Sequence, residues 1–173
     1  MPDPETSKKK VAAAEAAEEL KDRLEREHGE LLEELRALIP GAEVLFGFLL
    51  AIRFTDVFGD LTAWQHYVYY TTLLCTATAL VFFLAPSAFH RIRFRRGDKE
   101  YLVSKGNREA IAGTALGSIA FTGVIYLVTD LMFGTTAAAI VATIFFALIV
   151  WRWWALALYR TWLEGSNDPP PAD

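Results

Sequence analysis

Residues 66–85 read HYVYYTTLLCTATALVFFLA, twenty residues without an aspartate, glutamate, lysine or arginine. A helix of about 20 apolar residues crosses the ~30 Å hydrocarbon core of a bilayer. Three further apolar segments of similar length lie at 41–58, 109–133 and 135–159. The pattern therefore predicts an all-α protein with four transmembrane helices.

Lysine and arginine are distributed unevenly around these segments. Seven of them precede residue 37 and seven more lie in 91–108, whereas the turns at 59–65 and near 134 contain none. Basic residues are retained on the cytoplasmic side of a membrane. The distribution predicts a multi-pass membrane protein with both termini and a basic loop at 86–108 in the cytoplasm. The predicted transmembrane domain spans 39–162, and the polar tail 163–173 is predicted to be disordered.

Residues 1–38 are charged, and within them 7–38 are rich in the helix formers alanine, glutamate and leucine. The apolar residues of this segment form one narrow stripe at Leu20, Leu24, Leu31, Leu35 and Leu38. One interpretation is a coiled coil that joins the protomers of a homo-oligomer. The other, favoured by the small number of heptads, is a cytoplasmic amphipathic helix that lies on the membrane surface or on the basic loop.

Three charged residues lie at the ends of the first and third predicted spans. Thr55-Asp56-Val57-Phe58-Gly59 and Thr129-Asp130-Leu131-Met132-Phe133-Gly134 end these spans with similar residues, as a parallel repeat of two hairpins would. We expect Arg53, Asp56 and Asp130 to form an intramembrane charge cluster at the outer side. The first hypothesis is a structural clasp between the hairpins, and the second is an ion or proton site.

A second polar layer is predicted at the inner side. Glu43 lies near the start of the first span, and Arg152 lies about two turns before the end of the fourth. In a four-helix bundle these two side chains could face each other. A different feature, the G-x-x-x-G formed by Gly113 and Gly117, allows close helix packing either within one chain or in a homo-oligomer.

The basic loop alternates arginines with apolar residues, a pattern that suits a membrane surface. Phe89, Ile92 and Phe94 can anchor in the interface while the arginines meet anionic lipid headgroups. The candidate headgroup residues are Arg91, Arg93, Arg95 and Arg96. The expected partners are thus the lipid bilayer and anionic lipid headgroups.

No combination of residues points to catalysis or to a bound cofactor. The sequence has no phosphate-binding glycine loop, nucleophile elbow or H-E-x-x-H motif. Its single cysteine, Cys75, excludes an intrachain disulfide and any multi-cysteine metal site. The three histidines are isolated from one another, and the net charge is −4. We therefore expect no enzymatic activity, no metal, no cofactor and no nucleic-acid partner.

Two stretches resemble a small bacterial membrane family catalogued as a domain of unknown function. They are LRALIPGAEVLFGFLLAI at 35–52 and APSAFHRIRFRR at 85–96, and the resemblance covers about residues 33–160. It implies a four-span protein of the bacterial inner (plasma) membrane, with a proline-glycine entry to the first span and a proline…His-Arg exit from the second. Some similar sequences carry transferred labels of sodium:proton antiporter. An arginine at position 53 departs from the apolar residue that the family pattern implies.

The sequence favours an integral membrane protein that acts as a non-enzymatic packing or assembly component. The alternative is a small ion- or proton-coupled transporter that works as an oligomer. A transporter of this kind requires a polar cavity near mid-membrane, whereas the charges of this chain are predicted to lie at the membrane surfaces.

The predicted topology can be tested by thiol labelling in a Cys75→Ala background. Cysteines introduced as Ser7→Cys, Gly97→Cys and Ser166→Cys should resist an impermeant thiol reagent added to intact cells. A cysteine introduced as Thr62→Cys should react, because the first turn is predicted to lie outside. Labelling of position 97 from outside would overturn the orientation.

Overall fold

The computed structural model describes residues 4–93, 99–155 and 159. Four α-helices account for most of them: α1 at Pro4–Ile52, α2 at Ala63–Arg93, α3 at Lys99–Phe133 and α4 at Thr135–Ile149. Each helix belongs to a helical stretch that is long and apolar enough to cross a membrane. The predicted all-α class and the four potential spans are confirmed, and the described residues include no β-strand.

Helix α1 is one continuous helix of 49 residues, about 73 Å long at 1.5 Å per residue. The sequence predicted a leading helix that ends near residue 38 and a separate span from residue 41. The structure instead continues the helix through Pro40. Proline removes one backbone N–H donor from a helix interior. The apolar residues that follow must still be helical, because within a bilayer their backbone groups have no hydrogen-bond partners outside the helix.

The first apolar helix ends earlier than the sequence predicted. It stops at Ile52 rather than near residue 58, and a short 3₁₀ turn follows at Asp56–Phe58. The hydroxyl of Thr55 donates a hydrogen bond of 2.8 Å to the carbonyl of Ile52. The backbone N–H of Thr55 donates to the same carbonyl at 3.1 Å, so two hydrogen bonds from Thr55 close the last turn of α1.

Most of the predicted basic loop at 86–108 is helical. Helix α2 continues through Pro86 to Arg93, and α3 begins at Lys99, ten residues before the predicted start of the third span. The predicted spans identified the apolar parts of both helices but missed these polar extensions. The predicted disordered tail, 163–173, lies outside the described residues.

The turn between α3 and α4 is a single residue, Gly134. Its φ of 84° is the left-handed conformation that glycine adopts without steric cost. Its backbone N–H donates to the carbonyl of Asp130 at 3.0 Å. Helix α4 then runs to Ile149 and widens into π-helical geometry over Val150–Ala155, within the range 135–159 that the sequence predicted for the fourth span.

One compact unit combines the chain up to Phe48 with Thr76–Ala115. Its helices approach closely at two glycines of α3. A Cβ atom built on Gly106 would lie 2.8 Å from Leu31 and 3.5 Å from Pro86, and one on Gly113 would lie 2.6 Å from the ring of Phe83. These contacts bury Leu31 and Phe83, which are 8% and 4% exposed. Part of the predicted apolar stripe of α1 is therefore packed within the chain.

The second compact unit combines Leu49–Cys75 with the chain from Leu116 onward. Its interior consists mostly of small side chains, with Ala120 and Ala138 fully buried. The closest helix approach is at Gly123 of α3, where an added Cβ would lie 2.1 Å from the hydroxyl oxygen of Thr72 on α2. Small residues permit this distance between membrane helices, whose association depends on close packing.

Gly123→Ala is expected to destabilise the second unit by about 1–3 kcal/mol, the usual cost of overpacking. The added methyl group has no room beside Thr72. Gly117→Ala is the matched control, since nothing lies within 4 Å of the Cβ it would add. The measurement is the thermal unfolding midpoint in detergent. Equal midpoints for the two variants would contradict the close approach. Adding Thr72→Ala to Gly123→Ala should restore the midpoint, because it removes the hydroxyl that the new methyl group meets.

Candidate functional site

A buried carboxylate, Asp130 of α3, forms the centre of the candidate site in the second unit. Its side chain is only 8% exposed. The Oδ2 atom of Asp130 accepts a hydrogen bond of 2.8 Å from the side-chain amide of Gln65 on α2. A buried carboxylate without a hydrogen-bond donor is costly, so this neutral partner reduces the penalty of burying Asp130.

Gln65 is held in place by the cap of its own helix. The backbone N–H of Thr62 donates to Gln65 Oε1 at 2.8 Å, and the backbone N–H of Gln65 donates to the hydroxyl of Thr62 at 3.3 Å. This reciprocal pair is a capping box, the S/T-x-x-E/Q pattern that satisfies two free N–H groups at a helix start. The same glutamine amide therefore joins the cap of α2 to the carboxylate of α3.

A second polar contact lies beside the first and also joins α2 to α3. The indole N–H of Trp64 donates to the hydroxyl of Tyr126 at 2.9 Å. Tryptophan and tyrosine are enriched where a membrane meets water, because each has an apolar ring and a polar group. The start of α2 thus has the composition of an interfacial region.

The structure does not bring Arg53, Asp56 and Asp130 together as ion pairs. Arg53 and Asp56 are exposed, and among the described residues no salt bridge within 4.0 Å joins either of them to Asp130 or to each other. The guanidinium of Arg53 lies 4.6 Å from the centre of the Phe58 ring instead, a cation–π geometry. The predicted cluster assumed that the first span continues as a helix to about residue 58, but α1 ends at Ile52.

Phe58 connects the α1–α2 turn to helix α2. Its ring packs edge-on against His66 at 4.7 Å and against Tyr69 at 5.1 Å, measured between ring centres. The hydroxyl of Tyr69 donates to the carbonyl of Leu49 at 2.7 Å. That carbonyl lies in the last turn of α1, where helical partners are missing. The turn is therefore held by aromatic packing and by one buried hydrogen bond.

An apolar groove opens beside these contacts in the second unit. Its volume is about 500 Å³, within the range of roughly 300–1,000 Å³ that is usual for small-molecule pockets. Most of its wall is aliphatic or aromatic, and its polar groups are mainly hydroxyls. It is lined by Trp64, Tyr67, Val68, Thr71, Thr72, Ile119, Thr122, Gly123, Tyr126, Ala142 and Phe146.

Several hydroxyls of this region are engaged by their own helices. Thr72 donates to the carbonyl of Val68 at 2.7 Å, and Thr122 donates to the carbonyl of Ser118 at 2.8 Å. These i,i−4 bonds occupy the hydroxyl protons. These two hydroxyls therefore have no proton left to donate to a polar substrate, while their oxygens can still accept a hydrogen bond.

The other predicted site residues are dispersed. Glu43 on α1 and Arg152 in the π-helical segment are both exposed. They belong to different compact units, and their pairing stays a prediction. Arg91 is exposed at the end of α2. The side chains of the remaining predicted headgroup residues, Arg93, Arg95 and Arg96, lie outside the described part of the chain.

The two glycines of the G-x-x-x-G differ in their surroundings. Gly113 is covered by Phe83 of the same chain, whereas Gly117 has nothing within 4 Å of an added Cβ. Cys75 is partly buried and carries a free thiol. Within the described residues, no group of three or more His, Cys, Asp or Glu side chains could hold a metal ion.

These observations define a helical protein with four stretches suited to a membrane and with a polar contact network at one end of its second unit. Comparison with known proteins gives the family. Residues 17–157 match a family described as "Family of unknown function (DUF6328)", and the chain belongs to it. No curated protein and no solved structure matches the chain.

Asp130→Ala is expected to destabilise the protein by about 1–3 kcal/mol, because it removes the buried hydrogen bond and leaves the Gln65 amide without its acceptor. Asp130→Asn should cost less, since its carbonyl oxygen can still accept that bond. Asp56→Ala is the control and should change stability by no more than about 0.5 kcal/mol, as expected at an exposed position. Thermal unfolding in detergent measures all three. Equal losses for Asp56→Ala and Asp130→Ala would favour the charge-cluster hypothesis instead.

Proposed function

We propose that the protein is a non-enzymatic packing or assembly component of the bacterial plasma membrane, with both termini in the cytoplasm. The observation that carries the proposal is the outward-facing apolar surface of the four potential spans. Only 11–28% of the most apolar window of each span is buried within the chain. The rest must contact lipid or the helices of other proteins, because a large exposed apolar surface marks an interaction site or a membrane contact.

The apolar groove supports this proposal over ion or proton transport. A secondary transporter places its binding site near the bilayer midplane, commonly at unwound helix segments whose backbone groups face the ion. Here α2, α3 and α4 are unbroken where they line the groove. Asp130 lies near the end of α3, and its buried carboxylate accepts a hydrogen bond from Gln65 of α2. This structural role accounts for the burial of the carboxylate. The coupled transporter therefore remains the second hypothesis.

Self-assembly through residues 7–38 is the route that the exposed surface of α1 favours. Leu31 and Leu35 are buried within the chain, but Leu20 and Leu38 of the same stripe are exposed, at 50% and 42%. Eighteen residues, or five helical turns, separate Leu20 from Leu38, so both lie on one face of α1, and the described residues leave this part of the stripe uncovered. Gly113 is a weaker candidate for an oligomer contact, because Phe83 of the same chain already covers it.

A cysteine pair test addresses assembly in membranes. In a Cys75→Ala background, Leu20→Cys should form an intermolecular disulfide under mild oxidation. Asp22→Cys should not, because two residues turn a helix by about 200° and place this control on the opposite face. The readout is the dimer band on a non-reducing gel. Equal crosslinking at both positions would argue against association through this stripe.

Transport is tested separately in proteoliposomes. The purified protein should give no proton or sodium flux above that of empty vesicles, since the proposed role requires no ion pathway. A flux that disappears in Asp130→Asn, with thermal stability retained, would reject the proposed function in favour of the transporter.

A further inference from the structure

We infer that the first compact unit contains a binding site for a phosphate-bearing lipid headgroup, at a pocket of about 560 Å³ that we call the Lys105 pocket. This inference goes beyond the assembly role and does not depend on it. It also differs from the headgroup contacts predicted for the arginines at 91–96. The pocket is lined by Phe82, Tyr101, Ser104, Lys105, Arg108 and Glu109.

Helix α3 supplies most of the pocket from a single face. Positions 101, 104, 105 and 108 follow the i, i+3, i+4, i+7 spacing that aligns side chains along one side of a helix. Two cations, a serine hydroxyl and a tyrosine therefore border the same space. Phe82 of α2 contributes an apolar wall, which suits the part of a lipid that adjoins its headgroup.

Lys105 is held at the pocket by two loose contacts. Its ammonium nitrogen lies 3.9 Å from Glu109 Oε1 and 4.3 Å from the centre of the Phe89 ring. The first distance exceeds that of a hydrogen bond, and the second is a cation–π contact. No hydrogen bond from Lys105 to another described residue accompanies them. The ammonium is thus positioned while its N–H groups remain able to bind an anion.

Arg108 adds a second cation to the pocket. It is exposed, and it forms no salt bridge with any described residue. Glu109 offsets one positive charge, but its side chain is only 15% exposed and lies against Lys105. The pocket therefore keeps one net positive charge. Arginine binds phosphate oxygens through paired N–H groups, and lysine binds them as a point charge.

The position of the pocket along α3 favours a lipid as the source of the phosphate. Charged residues occur up to Glu109, and from Ala110 to Thr129 the helix has none. A boundary of this kind places the pocket at the level of lipid headgroups. Basic pockets between membrane helices bind anionic headgroups in this way. Free phosphate shares the same chemistry but would gain nothing from Phe82.

The test measures phosphatidylglycerol binding to the full chain in detergent by native mass spectrometry, with phosphatidylcholine as the neutral comparison. Lys105→Gln combined with Arg108→Gln should weaken phosphatidylglycerol binding at least about tenfold, since two headgroup contacts are lost. The matched control is Lys21→Gln combined with Arg26→Gln, which removes the same charge from the exposed part of α1 and should leave binding unchanged. Retained thermal stability establishes that both variants are folded.

Three outcomes would overturn the assignment: equal losses in the two double variants, no loss in the pocket variant, or equal binding of the two lipids. Arg108→Lys keeps the charge but loses the paired N–H groups, so its affinity should lie between those of the unchanged protein and Arg108→Gln; an affinity below that of Arg108→Gln would also contradict the site. Competition by inorganic phosphate distinguishes a lipid headgroup from free phosphate as the ligand of the pocket. Weak competition supports a lipid headgroup, whereas competition as strong as that of short-chain phosphatidylglycerol would overturn the lipid assignment.

Discussion

The rest of the structure depends on one constraint, the lack of hydrogen-bond partners for backbone groups in hydrocarbon. Each unpaired N–H or C=O in a bilayer core costs several kcal/mol, so spanning segments must be helical. This constraint accounts for helices that continue through Pro40 and Pro86. It also accounts for the buried hydrogen bond that the hydroxyl of Tyr69 donates to the carbonyl of Leu49, in the last turn of α1.

Within that constraint, helix association depends on small residues and on a few polar contacts. Water cannot drive apolar helices together inside lipid, so close packing and hydrogen bonds take that role. At positions 106, 113 and 123 of α3 the residue is glycine, and side chains of other helices lie so close that an added methyl group would collide with them. In the second unit, Gln65 adds a directional link by bonding both its helix cap and Asp130.

The sequence predicted the number and type of the spans because length and apolar composition determine both. It did not predict where the helices end: polar residues that continue α2 and α3 resemble a loop when hydropathy alone is considered. The charge cluster was predicted from opposite charges at similar depth, yet the partner of Asp130 is the neutral Gln65. The T-A-W-Q pattern at 62–65 could have indicated the cap of α2. The sequence indicated Gly117, as part of a G-x-x-x-G, but the close approach is at Gly123, because Thr72 of α2 lies opposite that residue.

Nitroxide accessibility in lipid vesicles tests most directly whether the exposed apolar faces contact lipid. Labels replace Phe48, Val81 and Ile144, each about two-thirds exposed at 67%, 67% and 64%, and Phe83, which is 4% exposed. The three exposed positions should collide often with oxygen, which concentrates in hydrocarbon, and rarely with a water-soluble nickel chelate. The label at 83 should be shielded from both. Greater access of nickel than of oxygen at 48, 81 and 144 would contradict membrane insertion and the function proposed from it.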